Sequence, residues 1–356
     1  MLPVTLIFVC AIVAITSFIY VLAAMYVPYQ RTFIAQEKAY QLAMGGVQIA
    51  CSQLARTFES ESPSKSIGSP LPANASPLPE AQQYAHILSS LDMWQTITLN
   101  RPSDHISGQI KICITPEDGK ININQIYDFS RHLFADFGSI KGGWRNAMMD
   151  MFKRIEKNTG ASALFAPFEH FLKQHSGQLN DLTELLAIPE FSVFSNQLFY
   201  KPAIQKNSSN ESKQKKTLYL TDLFTIHTSK KLISPWLFSS SLLELFDLSR
   251  NNVIGKTPDL LLANELKEFK KSGLIGDLWS KIFTKIYGKG LQSLPKNIES
   301  VLDTIFEPQL FCIYVHGLFG TVTQQICVIV ERRQSTNRGA GSKKHFDVVI
   351  KRLYRI

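Results

Sequence analysis

Residues 2–27 are an almost unbroken run of Leu, Ile, Val, Ala, Phe and Tyr, and no charged side chain appears before Arg31. About 26 residues at about 1.5 Å rise reach about 39 Å, more than the roughly 30 Å hydrocarbon core of a bilayer. The run predicts a transmembrane anchor over residues 1–30, carried by Thr5, Leu6, Ile7, Phe8, Val9, Ile12, Val13, Ile15, Phe18, Ile19, Val21 and Leu22. Helical spacing continues in Phe33, Tyr40, Met44, Val47, Cys51, Leu54 and Phe58. That stripe predicts an amphipathic continuation over 31–60, so that one helix serves both the anchor and a globular domain and ends near Ser60. Pro28 is the first expected kink, with Gly45-Gly46 a second soft point.

A cleaved signal peptide fits the start less well. No Lys or Arg precedes the apolar run, and the run exceeds the about 7–15 residues of a signal-peptide core, although Val21-Leu22-Ala23-Ala24 offers a weak cleavage sequence. Arg31 and Lys38 follow the span and on charge alone lean toward a cytoplasmic C-terminal side.

Beyond the helix, residues 61–80 carry Pro63, Pro70, Pro72, Pro77 and Pro79 and read as a linker. A short amphipathic helix is expected over 81–91, then strands over 94–99 and 109–115, the second with Ile110, Ile112 and Ile114 on one face. From Tyr127 to about Phe306 the pattern turns helical, with helices expected over 144–157, 163–174, 181–188, 239–247, 258–271, 274–287 and 298–304. Residues 207–216 are a polar insertion whose sequons at Asn207 and Asn210 would matter only in a eukaryotic secretory pathway. Alternation returns in Phe311, Ile313 and Val315, turns over 317–320, and runs back through Ile326, Val328 and Val330. A Gly/Ser/Arg loop over 335–344 leads to a last strand over 346–353. Strands on both sides of a helical block predict an α+β fold: 61–126 and 307–356 build the sheet, and 127–306 is an inserted helical domain.

The hydrophobic content of 45% is enough for a packed core. A net charge of +9 admits an anionic partner, nucleic acid or an acidic lipid face, but the basic residues are dispersed apart from 213–216 and the stretch from Arg332 onward. A solvated basic surface accounts for them. The five cysteines form no C-x-x-C pair and no Cys/His ligand spacing, which speaks against a zinc site. Cys10 lies in the anchor, Cys51 on the helix stripe, and Cys113, Cys312 and Cys327 in strand-like runs. Cys312 and Cys327 flank the C-terminal hairpin; if the register sets them face to face, an oxidising compartment permits a disulfide. Eight histidines are scattered, and His170 and His175, five apart, miss the i, i+4 spacing of a helical metal pair. There is no G-x-S-x-G, P-loop or paired-carboxylate signature, so an enzyme is not expected.

The most specific local motif is Pro116-Glu117-Asp118-Gly119-Lys120-Ile121-Asn122-Ile123-Asn124. Asp118-Gly119 reads as a turn with Gly119 at positive φ, and period-2 alternation places Ile121 and Ile123 on one face and Asn122 and Asn124 on the other. The short amides can bond local backbone and end the strand. A turn and strand exit is the plain reading, a calcium or substrate site the sharper one.

With that motif the chain resembles the GspK family, the large minor pseudopilins of type II secretion systems. The stretch from Ala39 to Val47 is similar to the family's segment just after its anchor, and Asp118 to Asn124 to its D-x-x-G-K/R-I/F-N-hydrophobic-N segment. Residues 182–189 resemble the helix of its inserted domain and 219–225 the continuation, and the terminal strands with Glu331-Arg332-Arg333 also fit. The resemblance implies a pilin-like long helix and antiparallel sheet with a large inserted α-helical (SAM-like) domain. It implies an inner-membrane, single-pass protein with its globular part in the periplasm. Its expected partners are two smaller minor pseudopilins and the pseudopilus, whose tip complex it would initiate and cap, with neither nucleic acid nor a small-molecule substrate.

Two departures accompany the resemblance, and one absence fits it. The family's basic leader is not visible before Met1, so the start lies upstream, the leader is atypical, or there is no processing. The family's Asp-rich stretch is not recognisable, the nearest region being 151–160, so calcium, possible by resemblance, is carried over to no residue and no other cofactor is expected. Position 5 is Thr5 and the first acid is Glu37, where most pilin-like subunits hold an early acid that neutralises a neighbour's amine. A subunit with none above it needs no such acid, although an ordinary anchor also lacks one. The alternatives are a minor pilin-like component of a type IV pilus or competence system, and a nucleic-acid binder. In the second, residues 182–189 would act as a helix-hairpin-helix, but Ile188-Pro189-Glu190-Phe191 puts an acid and no glycine in its turn.

Overall fold

Helix α1 (Leu2–Ala55) is 54 residues long, about 80 Å at the α-helical rise. The computed structural model describes residues 2–55, 87–101, 106–136, 143–200, 217–249, 264–266, 277–303, 305–334 and 346–356. Pro28 lies inside α1 without interrupting it. The Thr32 hydroxyl there donates to the Pro28 carbonyl at 2.9 Å. The most apolar stretch of α1 buries none of its residues against protein; Phe8, Phe18 and Tyr20, for example, are all exposed.

From Ala39 onward the same helix packs. Ala39, Ala43, Val47, Ala50 and Leu54 are buried at helical spacing, and they meet a five-stranded antiparallel sheet. The strands are β1 (Trp94–Arg101), β2 (Ile106–Pro116), β7 (Leu310–Phe319), β8 (Val322–Gln334) and β9 (Phe346–Arg355), in the order β1-β2-β7-β8-β9. Ile110, Ile112 and Ile114 of β2, Ile313 and Val315 of β7, and Ile326, Val328 and Val330 of β8 share a buried cluster with that face of α1. Of the expected stripe, Val47 and Leu54 are buried in the seam and its other described positions are rotated off it. Tyr40, Met44 and Cys51 flank the seam half-buried, Phe33 is exposed, and the small residues sit at its centre. The close approach of backbone explains this: a Cβ on Gly317 would lie 2.1 Å from the Ala39 carbonyl oxygen, and one on Gly46 2.5 Å from Val315 Cγ1. Larger side chains at the seam would hold helix and sheet apart.

Between β2 and β7 the chain makes β3 (Ile121–Asn122), α2 (Ile123–Ile126), the small pair β4 (Tyr127–Asp128) and β5 (Leu133–Phe134), α3 (Gly143–Thr159) and α4 (Phe165–Gln174). Two 3₁₀ segments follow, Leu182–Ala187 and Pro189–Phe194, then α5 (Leu220–Leu223), β6 (Phe224–Thr225), α6 (Ser240–Leu245), α7 (Asp277–Tyr287) and α8 (Lys296–Glu299). Phe152, Phe168, Phe191 and Phe224 stack in the middle of this block, with centroids from 4.9 Å to 6.3 Å apart. The buried apolar cluster is continuous from α1 through the sheet into the block, so the block is bonded into the sheet domain by a shared core.

Several expected elements differ. The segment 181–188 is 3₁₀ rather than α: the Asp181 side chain and Glu184 form a capping box, and Pro189 opens the next turn three residues after Leu186, leaving no room for a second α-turn. The helix expected over 298–304 is the shorter, earlier α8, after which Leu302 makes a parallel bridge to Ile233. The turn expected over 317–320 is a two-residue loop, because β7 runs on to Phe319 opposite Val322 and only Gly320, at φ +59°, takes the turning conformation. The helix end near Ser60, the linker, the first part of the 81–91 helix, most of 258–271, residues 274–276, and the loops 207–216 and 335–344 lie outside the described residues.

Candidate functional site, a buried polar junction

The motif from Glu117 to Asn124 leaves β2 and enters the helical block, and the side chains of Asp118, Asn122 and Asn124 each reach a different part of the chain. Asp118 Oδ2 accepts from the backbone N–H groups of Gln309 (2.7 Å) and Leu310 (3.0 Å), so it fixes the return of the chain into β7. The Asp118 carbonyl accepts from Ser234 N at 3.1 Å. Asn122 donates to the Thr228 carbonyl and accepts from Asn124 N at 2.9 Å, which caps α2. Asn124 pairs with one residue as a second backbone would: its Nδ2 donates to Leu179 O at 2.8 Å and its Oδ1 accepts from Leu179 N at 2.9 Å. Ile121 and Ile123 are fully buried, and β3 pairs in parallel with β6, Ile121 opposite Phe224.

Two sequence readings of this motif change. Gly119 is not among the positive-φ residues; glycine is needed because a Cβ there would lie 1.6 Å from the Leu237 carbonyl oxygen. The period-2 run stops at Asn122, since Ile123 already belongs to α2. The asparagines bond backbone as expected, but mostly at a distance: Thr228 and Leu179 lie 106 and 55 residues away.

The junction holds charge in a dry place. Lys120 and Glu117 form an ion pair with side chains 1% and 3% exposed. Burial works to lower the Lys120 ammonium, but the Glu117 carboxylate, with Cys312 and Asp222 adding, holds it above its ordinary range. Burial pushes Asp118 up against the pull of Lys230 and its two amide donors. Burial likewise pushes Asp222 up, to about 6, with Lys120 opposing, while its Oδ2 accepts from Ser241 N at 2.7 Å. Oδ1 of Asp118 and of Asp222 are buried without a hydrogen-bond partner. A cavity of about 20 Å³, room for about one water, lies beside the Glu117–Lys120 pair and is lined also by His227, Cys312, Tyr314 and Cys327 among others. Burial lowers the His227 imidazole there.

Cys312 and Cys327 lie on the sheet face opposite α1, with Cys113 and Tyr314. In register Cys312 stands opposite Ile329 and Cys327 opposite Tyr314, so the two are diagonal neighbours rather than face to face. Their Sγ atoms are nonetheless 3.1 Å apart. Of the anchor residues, Phe8, Val9, Ile12, Val13, Ile15, Phe18, Ile19, Val21 and Leu22 are exposed on α1; Thr5, Leu6 and Ile7 lie in α1, with side chains outside the described residues. One long apolar N-terminal helix with a globular remainder fits a single-pass membrane anchor.

Two functional contacts escaped the sequence reading. Arg332 donates from Nε to the Leu54 carbonyl at 2.9 Å, holding the last turn of α1 to β8. Its position was readable, since Ile326, Val328, Val330 and Arg332 share one face by alternation. Asp222 carried no readable signal. Among the described residues no group of three or more His, Cys, Asp or Glu is placed to hold a metal ion. In α3 the side chains nearest the missing Asp-rich stretch are the buried Met151, Phe152 and Ile155.

The whole is a long-helix α+β protein with a polar rivet between its sheet and an inserted helical block. No family model matches the chain, and no curated protein matches it. Among solved structures it is similar to a chain described as part of the crystal structure of the GspK-GspI-GspJ complex from the enterotoxigenic Escherichia coli type 2 secretion system. That likeness covers 92% of this chain and 99% of the other, at 10% identity and a TM-score of 0.45. At 10% identity no residue role transfers.

Proposed function

We propose that this chain is a minor pseudopilin of the GspK type, a non-catalytic subunit stored in the inner membrane with its globular part in the periplasm. The observation that supports this most is α1 itself. The described side chains of its first half are exposed and that half is long enough to cross a bilayer, while its second half is the spine on which the sheet packs. A subunit built this way can be held in lipid by one half and passed into a helical filament core without unfolding the other.

The inserted block gives the reading its finer part. Asp118 fixes the block's return into the sheet and accepts from Ser234, and Asn122 and Asn124 tie its entry to its interior, so it moves with the spine rather than on a tether. A bulky, rigid block of this kind would obstruct addition of a further subunit above it, which suits a filament tip assembled with two smaller minor pseudopilins. The junction's role is positional, and no catalytic residue is assigned. The test is co-expression of the full chain with the two smaller minor pseudopilins of its own secretion locus, followed by detergent extraction and gel filtration. The expected result is a ternary complex, together with loss of protein export on deletion of the gene. Separate elution and intact export would refute the proposal.

A further inference from the structure

We infer that Cys312 and Cys327 are a disulfide site, closed across the β7–β8 hairpin when the chain folds in an oxidising compartment. The pair rests on three observations. The two Sγ atoms are 3.1 Å apart, so about 1 Å of further approach reaches the about 2.05 Å of a bond. The partners are diagonal across adjacent antiparallel strands, and both side chains turn inward along that diagonal, the one that strand twist can shorten. Both thiols are buried, 1% and 3% exposed, and both border the same small cavity.

Cys113 is the competing thiol. It shares the face, but it stands on β2 opposite Tyr314, a strand further from Cys327. Cys10, on the bare half of α1, and Cys51, on its packed half, are remote from the pair in the fold.

Timing follows from burial. Burial and the neighbouring Cys327 sulfur raise the Cys312 thiol well above its ordinary range, so little thiolate exists in the folded, reduced chain to attack an oxidant. The bond therefore forms while the hairpin is still accessible, which the separation of only 15 residues favours. Closing it joins the two Sγ atoms and breaks two S–H bonds. Two electrons and two protons pass to a small-molecule or protein disulfide, which leaves as two thiols. The Proposed function enters at one point only, in supplying an oxidising periplasm.

The experiment is cell-free synthesis of the full chain into detergent micelles, in glutathione/glutathione disulfide or in dithiothreitol. Free thiols are counted with maleimide-polyethylene glycol after acid quench and denaturation, and folding is read in the same samples as protease resistance. Of the five cysteines, three are expected to label in the glutathione buffer and five in dithiothreitol, with a peptide linking residues 312 and 327. Cys312→Ser and Cys327→Ser should each label at four in both buffers, and Cys113→Ser at two in the glutathione buffer. Five labels in the protease-resistant wild type, or two labels lost that survive Cys312→Ser, would overturn the inference. The same count on chain isolated from cells separates the two ideas. Closure in micelles but not in cells refutes the periplasmic placement and leaves the site standing; failure in both refutes the site and leaves the placement untouched.

Discussion

Between Phe8 and Ile34, α1 presents Phe, Ile, Val and Tyr on all sides and buries none of them, whereas from Ala39 to Leu54 its inward face is Ala, Gly and Val pressed onto four strands. The first half is large and apolar where nothing in the protein covers it. The second is small where the cover is closest. In a lipid solvent side-chain bulk is harmless and apolarity is required; against a sheet whose Gly317 backbone meets the Ala39 carbonyl, bulk is the costly property. One helix thus carries two packing rules, and the change between them falls near Arg31 to Ala39.

The sharpest way to break the packed half is Gly317→Val, which forces a side chain into the α1 backbone and should cost about 4 kcal/mol or more, read as loss of the thermal transition of the globular part. Lys120→Met comes next. It leaves the Glu117 carboxylate buried without its cation, for about 3–5 kcal/mol, and adding Glu117→Gln should restore much of the loss in a denaturant titration. On the bare half, Ile15→Lys should cost about 3 kcal/mol of membrane insertion, read as the fraction recovered in membranes, while the globular melting temperature stays put.

A gentler, pH-dependent effect is expected at the buried junction behind the packed half. Asp222 has its folded pKa raised to about 6, above its usual 3.8. The fold therefore binds a proton that the unfolded chain releases, and its contribution, fully present below about pH 4, is lost as pH rises through about 6. Asp222→Asn should flatten stability between pH 4 and 6 and stabilise at pH 7 by about 1–3 kcal/mol. Glu331, held down to about 2 by hydrogen bonds from Arg333 and Lys351, titrates below that window. The smallest effect is expected at Gly45→Ala, where a Cβ meets nothing within 4 Å; helix propensity alone predicts a gain of under about 1 kcal/mol. The contrast with Gly46, its neighbour in sequence, tests whether the seam is where the structure places it.

The strands and the long helices were legible because their periods are strong: Ile110, Ile112 and Ile114 alternate onto the face that α1 covers. The seam on α1 was legible at Val47 and Leu54 but not at Ala39, Ala43 and Ala50, because close backbone approach selects small residues that carry little apolar signal. The motif at Asp118 was visible as a motif, but its contacts were not. Gln309 and Thr228 lie 191 and 106 residues from their partners, and no local pattern encodes such pairings. Gly119 shows the same limit, since a glycine required by a distant carbonyl looks in sequence like one required by a turn.

Helix α1 changes solvent along its length, and site-directed spin labelling tests that directly. Single cysteines would be scanned through residues 8–54 of the full chain in bilayers, comparing collisions with lipid-soluble oxygen against a water-soluble nickel chelate. High oxygen access is expected on every side of the helix through Val27. Beyond Lys38 a 3.6-residue rhythm is expected, with Ala39, Ala43, Val47 and Ala50 shielded from both reagents. Nickel access all along residues 8–27, or a shielded stripe running through that stretch as well, would contradict that change of solvent.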